Sequence, residues 1–553
     1  MCLKCLPFAL AVFVLPLDVW GDAPPHLWSQ SFGDAVAQQG SCLATDASGN
    51  VILSGQFEGT VNLGGVVLTS AGSADIVLAK FDASGNHLWS HGFGGTDYDN
   101  APSIAVDASG NVVMAGNFRS TLDLGGETFI ATDGDWDVFL AKFDSNGNHL
   151  WSKSFGDGDT QLTFAVAVDA SDNIIWTGHF FQTIDFGGGV LTSTSGYDMY
   201  IAKFDRDGNH IWSKSYGRTG WELSTNLATD ATGNAVVAGR FDGTVDFGGG
   251  VLTTAGGGDV FLVKFNPDGI HLWSRSFGDG NLQLVGSLAV DPSDNVVMTG
   301  SYLGAVDFGG GVLTSAGSYD IFLAKYDPNG NHLWSDRFGD TSVQHTESAA
   351  VDASGNVVIT GSFSGMVDFG GGPLTATGSP FSDIFLAKLD ADGNHLWSER
   401  FGDAALDVAE TVALDAWDNI LLSGRFRGTT DFGGSPLTSA GGDDAFLSKF
   451  ASAATGIVDG LSMWIELRAY PNPFNPRTTI AFHIPRSGFA KIQIYDVNGS
   501  LVETLVDGQR PMGDHTATWD GRDREGLAVA SGIYFARLSF EGTLRSQKIV
   551  LLK

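Results

Sequence analysis

The stretch "FDSNGNHLWSKSFGD", residues 143–157, decides how the rest of the chain is read. Its core recurs along the sequence, each time with a His two residues before a Trp. That Trp falls at Trp28, Trp89, Trp151, Trp212, Trp273, Trp334 and Trp397, at steps of 61 to 63 residues. A second landmark, the Asp of "VDASGNVV", falls at Asp46, Asp107, Asp169, Asp230, Asp291, Asp352 and Asp415. It always follows the Phe of "FGD" (Tyr in the fourth copy) by 14 residues, so insertions are confined to the stretch between the landmarks. A fixed long period marks a repeat architecture.

One repeat holds four strand-like pieces rich in β-branched and aromatic residues. In the fifth these are "SLAVD" (287–291), "NVVMTGSY" (295–302), "DIFLAKYD" (320–327) and "NHLWSDRFG" (331–339). "DPSDN" joins the first two and "DPNGN" the last two, each suited to a type I turn closed by a residue at positive φ. Gly85, Gly147, Gly208, Gly269, Gly330 and Gly393 stand at that closing place in the second turn. The Asp heading each turn is expected to cap backbone N–H groups; calcium is the alternative role for these carboxylates.

Four antiparallel strands repeated seven times predict an all-β chain built on a β-propeller, a radial arrangement that leaves few exposed sheet edges. "HLWSQSFG" stands alone at 26–33, and the last repeat ends at "DAFLSKFASAATG" without its own His-Leu-Trp-Ser. The orphan leading strand is expected to complete the last sheet, giving seven blades. "DIFLAKYDPNGNHLWS…FGD…AVDASGNVVITG" resembles the bacterial seven-bladed β-propeller repeat over residues 26–450. That resemblance implies a secreted or surface protein and says little about activity.

The repeated His residues cannot form a metal centre if their strand is outermost, because inter-strand steps of about 4.8 Å put them on a circle tens of ångströms wide. Zinc needs ligands at about 2 Å. Each His is expected instead to pack beside its Trp between blades and give its ring N–H to a carbonyl. The "DFGGG" stretches predict a small extra hairpin; no helix follows them, which argues against a phosphate loop.

Function on a repeated scaffold belongs to positions that differ between copies. The residue inside "G-x-F" is one: Gln56, Asn117, His179, Arg240, Ser301, Ser362, Arg425. Others fall in the constant-length loop after "FG": Asp97, Tyr98, Asp99, Trp221, Glu222, His345, Glu347, Asp407 and Glu410. Gln56, Asn117, His179, Arg240, Arg425, Trp221 and Tyr98 are the ligand-binding candidates, with aromatic and amide groups suited to a glycan or a surface protein. Paired acids and a His on one face also fit a secreted polysaccharide hydrolase or lyase. Binding is the favoured reading; no catalytic residue, metal ligand or cofactor is assigned.

The ends of the chain differ from its body. Lys4 and the apolar "LPFALAVFVLPL" (6–17) read as a secretory signal over residues 1–23. Cys2 and Cys5 would leave with it, and Cys42 remains as a small buried hydrophobe with no disulfide partner. No later apolar run is long enough to span a membrane.

The formal charge is −33. Residues 466–553 hold 11 basic and 9 acidic side chains, leaving 19 basic and 54 acidic, a net of −35, for the first 465. That field disfavours nucleic acid and anionic lipid.

After a linker at 456–466, residues 467–553 read as short strands. "YPNPFNP" (470–476) forces an extended course, and "TIAFHIP" (479–485) turns Ile480, Phe482 and Ile484 inward. "AKIQIYDVNGSLVETL" (490–505) is a hairpin with Asn498-Gly499 at its turn. The spacing predicts an immunoglobulin-like β-sandwich. "YPNPFNPRTTIAFHIP…WDGRDREGLAVASGIYFARL…KIVLLK" is similar to the FlgD-like immunoglobulin domain and to the C-terminal sorting domain of type IX secretion. The second similarity implies export through a translocon that reads this domain. The expected organisation is a signal (1–23), a seven-bladed propeller (24–455), a linker and an Ig-like sorting domain (467–553).

Overall fold

The computed structural model describes residues 24–131, 134–378, 382–452, 466–470, 474, 476–484, 488–496, 500–510, 513–540 and 543–552. The expected signal, residues 456–465 of the linker and the Asn498-Gly499 turn lie outside them. The described residues contain strands and no helix. The chain divides into two compact units, residues 1–455 and 456–553.

The first unit is a succession of antiparallel sheets, six of four strands and one with an added short strand, Val251–Thr253. The fifth sheet runs Gln283–Val290, Val296–Tyr302, Asp320–Tyr326 and His332–Phe338, in sequence order across the sheet. Its first strand begins four residues before the apolar run that predicts it. The polar Gln283 belongs to the strand because its side chain is fully buried where sheets meet. The second and third strands are buried on both faces. This explains their continuous apolar runs, since a strand covered on both sides has no polar face. The fourth strand mixes exposed and partly buried residues, as an outer edge requires.

The strand His26–Phe32 pairs antiparallel with Asp444–Phe450, so the first strand of the chain completes the seventh sheet. Ala451 N donates to Pro25 O at 2.8 Å beside this pairing. The first strands of successive sheets pack on one another, and Asp407–Leu414 of the seventh packs back on Gln38–Thr45 of the first.

Both tight turns of a sheet lie at one end, here called the hairpin end. Asp46 N bonds Asn50 O and Gly49 N bonds Asp46 O, while Asp46 Oδ1 accepts Ser48 N and Asn50 N. The Gly closing the second turn has φ between 71° and 89° in all six copies. In three first turns Asp172, Asp294 and Asp418 take the positive-φ place. Their carboxylates accept N–H groups of Ala108, Ala231 and Ala353 in the preceding sheet.

The Asp heading each first turn also meets a buried Lys from the third strand of its own sheet. The seven pairs are Asp46–Lys80, Asp107–Lys142, Asp169–Lys203, Asp230–Lys264, Asp291–Lys325, Asp352–Lys388 and Asp415–Lys449, at 2.7–2.9 Å. Breaking such a pair by removing one partner costs about 3–5 kcal/mol, because the other charge stays buried. The same Lys reaches across to the next sheet. Lys80 Nζ and Trp89 Nε1 both donate to Ser145 O, and Lys325 Nζ and Trp334 Nε1 both donate to Ala391 O. Lys449 and Trp28 do the same to Ala83 O across the closing strand.

The repeated His differs from expectation. Its Nε2 meets the Ser hydroxyl of its own tetrapeptide at 2.9–3.1 Å in six copies, not a carbonyl. Its ring lies on the second Gly of "DFGG", where a Cβ at Gly65 would stand 2.4 Å from His87 Cε1. It packs edge-on against the aromatic residue ending the third strand, as His87 does on Phe81. The extra hairpin that carries the glycines, Thr121–Asp123 with Thr128–Ile130 in the second sheet, therefore folds over the outer strand. Trp, not His, makes the bond between sheets.

The second unit has a three-stranded sheet, Glu466–Tyr470, Thr478–Ile484 and Gly513–Trp519, and a four-stranded one. The latter orders Leu501–Arg510, Gly488–Asp496, Gly532–Phe540 and Thr543–Leu551. Ile480, Phe482, Ile492, Ile494, Trp519, Ala536 and Leu538 form its core.

Candidate binding face at the loop end of the sheets

The end of each sheet opposite the hairpins is where first and third strands begin and second strands finish. At every junction between sheets a buried Asp opens the third strand: Asp75, Asp137, Asp198, Asp259, Asp320, Asp383 and Asp444. Facing it in the next sheet stands Gln38, Gln161, Gln283 or Gln344 at four junctions and Asp99, Glu222 or Asp407 at three. The Gln side chains bond the Asp of "FGD", as Gln283 Nε2 does to Asp279 Oδ1 at 3.0 Å. Among the described residues the acids donate no such bond, and all three are raised above the usual carboxylate range. Burial, reinforced by Asp198, pushes Glu222 up to about 9. Burial also takes Asp99 and Asp407 to about 7.

Several candidates expected in the loop are strand residues. Trp221 and Glu222 lie in Thr219–Thr229, His345 and Glu347 in Gln344–Val351, and Asp407 and Glu410 in Asp407–Leu414. The reason is a β-bulge: the register slips between Thr346 and Ser348 and between Ala409 and Thr411, leaving Glu347 and Glu410 as the extra residues. A bulge turns a side chain away from the pleat and lets the strand extend past it. Asp97, Tyr98 and Asp99 do precede their strand, Asn100–Val106.

The structure brings two pairs of binding candidates together. Tyr98 Oη donates to Gln56 Oε1 at 2.5 Å, joining the first and second sheets. The Arg240 guanidinium lies over Trp221 at 4.7 Å. The other three are more enclosed. Asn117 is buried, donates to Asn100 Oδ1 at 2.8 Å and accepts Thr163 N at 2.7 Å, so it ties neighbouring sheets. His179 is sandwiched between Phe164 and Tyr197, and burial lowers it to about 4, keeping the ring neutral. Arg425 bonds Gln39 at 3.0 Å and pairs with Glu410 at 3.6 Å. Burial, helped by Glu410, raises Glu347 to about 7.

Four residues at this end escaped the sequence reading: Arg119, Trp136, Tyr197 and Tyr319. The three aromatics immediately precede the buried Asp of the third strand in sheets two, three and five. Their signal was there in "WDVFL", "YDMY" and "YDIFL", but it sits in the stretch whose length varies. Arg119 lies over Trp136 at 5.0 Å, and Tyr98 meets Trp136 edge-on at 5.6 Å. Among the described residues no group of three or more His, Cys, Asp or Glu side chains could hold a metal ion. Two cavities, of about 250 and 410 Å³, lie instead at the hairpin end, beside Pro292, Ala353 and Trp334.

Comparison with known proteins adds the following. Residues 478–542 match the FlgD Ig-like domain. An uncharacterized WD repeat-containing protein of Acanthamoeba polyphaga mimivirus is 23% identical over 72% of this chain. The regulatory protein FlaEY of Caulobacter vibrioides is 33% identical over 39% of it. The chain spans only 36% and 23% of the length of these two relatives. Among solved structures it is similar to PorZ, a surface component of the type-IX secretion system of Porphyromonas gingivalis. That match has 12% identity and a TM-score of 0.26, and covers 94% of this chain and all of PorZ. It is also similar to a PL25 ulvan lyase, with 12% identity and a TM-score of 0.38, covering 75% of this chain and 97% of the lyase.

Proposed function

We propose that the chain is a secreted or cell-surface seven-bladed β-propeller that binds a glycan or a surface protein through the loop end of its blades. In this reading residues 1–23 are a signal, and the C-terminal Ig-like domain is a sorting domain read by a secretion translocon. The observation that carries the binding role is a contrast within the repeat. At the hairpin end equivalent positions keep the same side chains from sheet to sheet. At the loop end they diverge into aromatic, amide and guanidinium groups that face outward, the composition that carbohydrate and protein ligands require. The net charge of −35 argues against a nucleic acid ligand. The FlgD Ig-like match at 478–542 supports the sorting role.

The second reading, a polysaccharide hydrolase or lyase, is favoured by Glu347 and Glu410. They are neighbouring acids that burial raises, Glu347 to about 7, and Arg425 opposes the rise in both. Two adjoining carboxyls, one of them held near neutrality, are the groups that acid–base chemistry requires. A glycan array probed with the full chain, with products followed in parallel, separates the two. Retention without turnover supports binding, whereas turnover abolished by Glu410→Gln makes the protein an enzyme. For export, removal of residues 466–553 is expected to leave the first unit folded but inside the cell envelope. Appearance of the truncated chain at the surface rejects the sorting role.

A further inference from the structure

The positive charge of the first unit is distributed unevenly. Seven of the nine lysines between residues 24 and 455 are consumed in the buried pairs with Asp. Of the arginines at the loop end, Arg337, Arg400, Arg425 and Arg427 each pair with a carboxylate. Arg119 and Arg240 do not. Neither has a side-chain hydrogen bond or ion pair among the described residues, and Arg119 Nε is buried without an acceptor. Each guanidinium instead lies over a tryptophan ring, and burial lowers the pKa of Arg240. In a unit carrying 53 acids, two partly buried arginines without an ion pair among the described residues are exceptional. The unit's acidic field opposes the approach of any polyanion, but it is screened by salt. An arginine partly stripped of water grips an anion at contact with both nitrogens.

The aromatic groups around them are periodic. Trp136, Tyr197 and Tyr319 hold the same place in sheets two, three and five. In sheet four that place is Gly258, at φ 90°, and Trp221 fills the space: a Cβ there would stand 3.0 Å from Trp221 Cη2 and 3.3 Å from Arg240 Cδ. Four consecutive sheets therefore each present one ring, all partly exposed. A row of rings, one to each sheet, matches a polymer of rings, because sugar faces stack on aromatic ones. A peptide would instead seek a free sheet edge to pair with.

We propose that this arc binds an acidic polysaccharide, with Trp136, Tyr197, Trp221 and Tyr319 under successive sugar rings and Arg119 and Arg240 on its carboxylate or sulfate groups. The inference rests on the binding role of the loop end and adds the class of ligand and its position. It uses neither Glu347 nor Glu410, so it holds for a binding module and for an enzyme alike.

The test is binding of the full chain to polygalacturonate, alginate and heparin, each beside its carboxyl-reduced or desulfated form. At least one acidic polymer is expected to bind, and removal of its charges to weaken binding tenfold or more. Arg240→Gln and Trp221→Ala are expected to do the same, whereas Arg275→Gln, on an exposed outer strand, is expected to leave affinity unchanged. Arg240→Lys, which keeps the charge and loses the planar fork, separates loss of grip from misfolding, with intermediate affinity expected. Equal binding of the charge-stripped polymers overturns the acidic class while leaving the glycan reading intact. Binding to an acidic peptide but to no glycan overturns the proposal, and so does binding to none of the probes. That last result, together with an empty array, also removes the glycan reading.

Discussion

The two ends of each sheet are made from one repeat, yet they behave differently. At the hairpin end, Asp, Lys and Trp recur in all seven sheets; the Asp holds the Lys, and Lys and Trp converge on one carbonyl of the next sheet wherever its second turn exists. At the loop end, the buried Asp opening the third strand recurs, but its neighbour alternates between Gln and acid, and the residues above it share nothing. Identity between copies at the hairpin end follows from a common constraint, since each sheet must grip the next. Divergence at the loop end means that holding the sheets together does not dictate those side chains. A repeated residue in this chain therefore points to construction, and a departure from the repeat points to function.

The largest effect that can test this contrast is on pH. Glu222 holds its proton to about 9 in the folded chain and loses it near its ordinary 4.5 when unfolded. Between those values the native state binds the additional proton, so stability falls as pH rises. Asp99, Asp407 and Glu347, held to about 7, steepen the same limb. The hairpin end acts in the opposite direction. Burial alone would raise Asp230, but Lys264, Asn234 and Thr232 outweigh it and hold the carboxyl at about 2. Its contribution is complete above the ordinary 3.8 and is lost as pH falls towards 2. His179, neutral down to about 4 against an ordinary 6.5, also removes stability as pH falls between those values. The junction acids are therefore read above pH 7, where urea midpoints are expected to decline towards pH 9, with Glu222→Gln recovering part of the loss. A midpoint that stays level or rises from pH 7 to 9 means that Glu222 is ionised in the native protein.

The sequence made the construction more legible than the use. Turn chemistry is local, so Gly85 and its counterparts, and the Asp heading each turn, could be placed from five residues of context. The completion of the seventh sheet was legible because a strand lacked its repeat at one end of the array and a repeat lacked its strand at the other. Lys80 and its six counterparts could not be read in the same way. A single cation inside an apolar run looks like an exposed interruption until the neighbouring turn is known to supply both a carboxylate and a carbonyl. The His was placed on the correct strand with the wrong partner, because the Gly-Gly hairpin that covers it is brought there by tertiary folding. Trp136, Tyr197 and Tyr319 were hidden in the stretch where repeat lengths differ, the place where a period gives no alignment.

The smallest effect tests the latch between sheets, and the chain contains its own control. Trp334 Nε1 donates to Ala391 O at 3.0 Å. Trp397 holds the equivalent place in the sixth sheet, but the seventh sheet has no second hairpin turn, because its fourth strand comes from the start of the chain. Trp397 is 4% exposed and its Nε1 has no acceptor among the described residues. Changing either Trp to Phe removes the same ring volume, but the void is larger at the buried Trp397 than at the partly buried Trp334, which offsets part of the hydrogen-bond difference. Trp334→Phe also forfeits a hydrogen bond worth about 0.5–1.5 kcal/mol, whereas Trp397→Phe removes a buried unpaired donor that itself costs about 1–3 kcal/mol. Trp334→Phe is therefore expected to be the more damaging by about 1–3 kcal/mol in urea unfolding. Equal losses at the two sites leave the Trp a packing residue and the carbonyl bond without energetic weight.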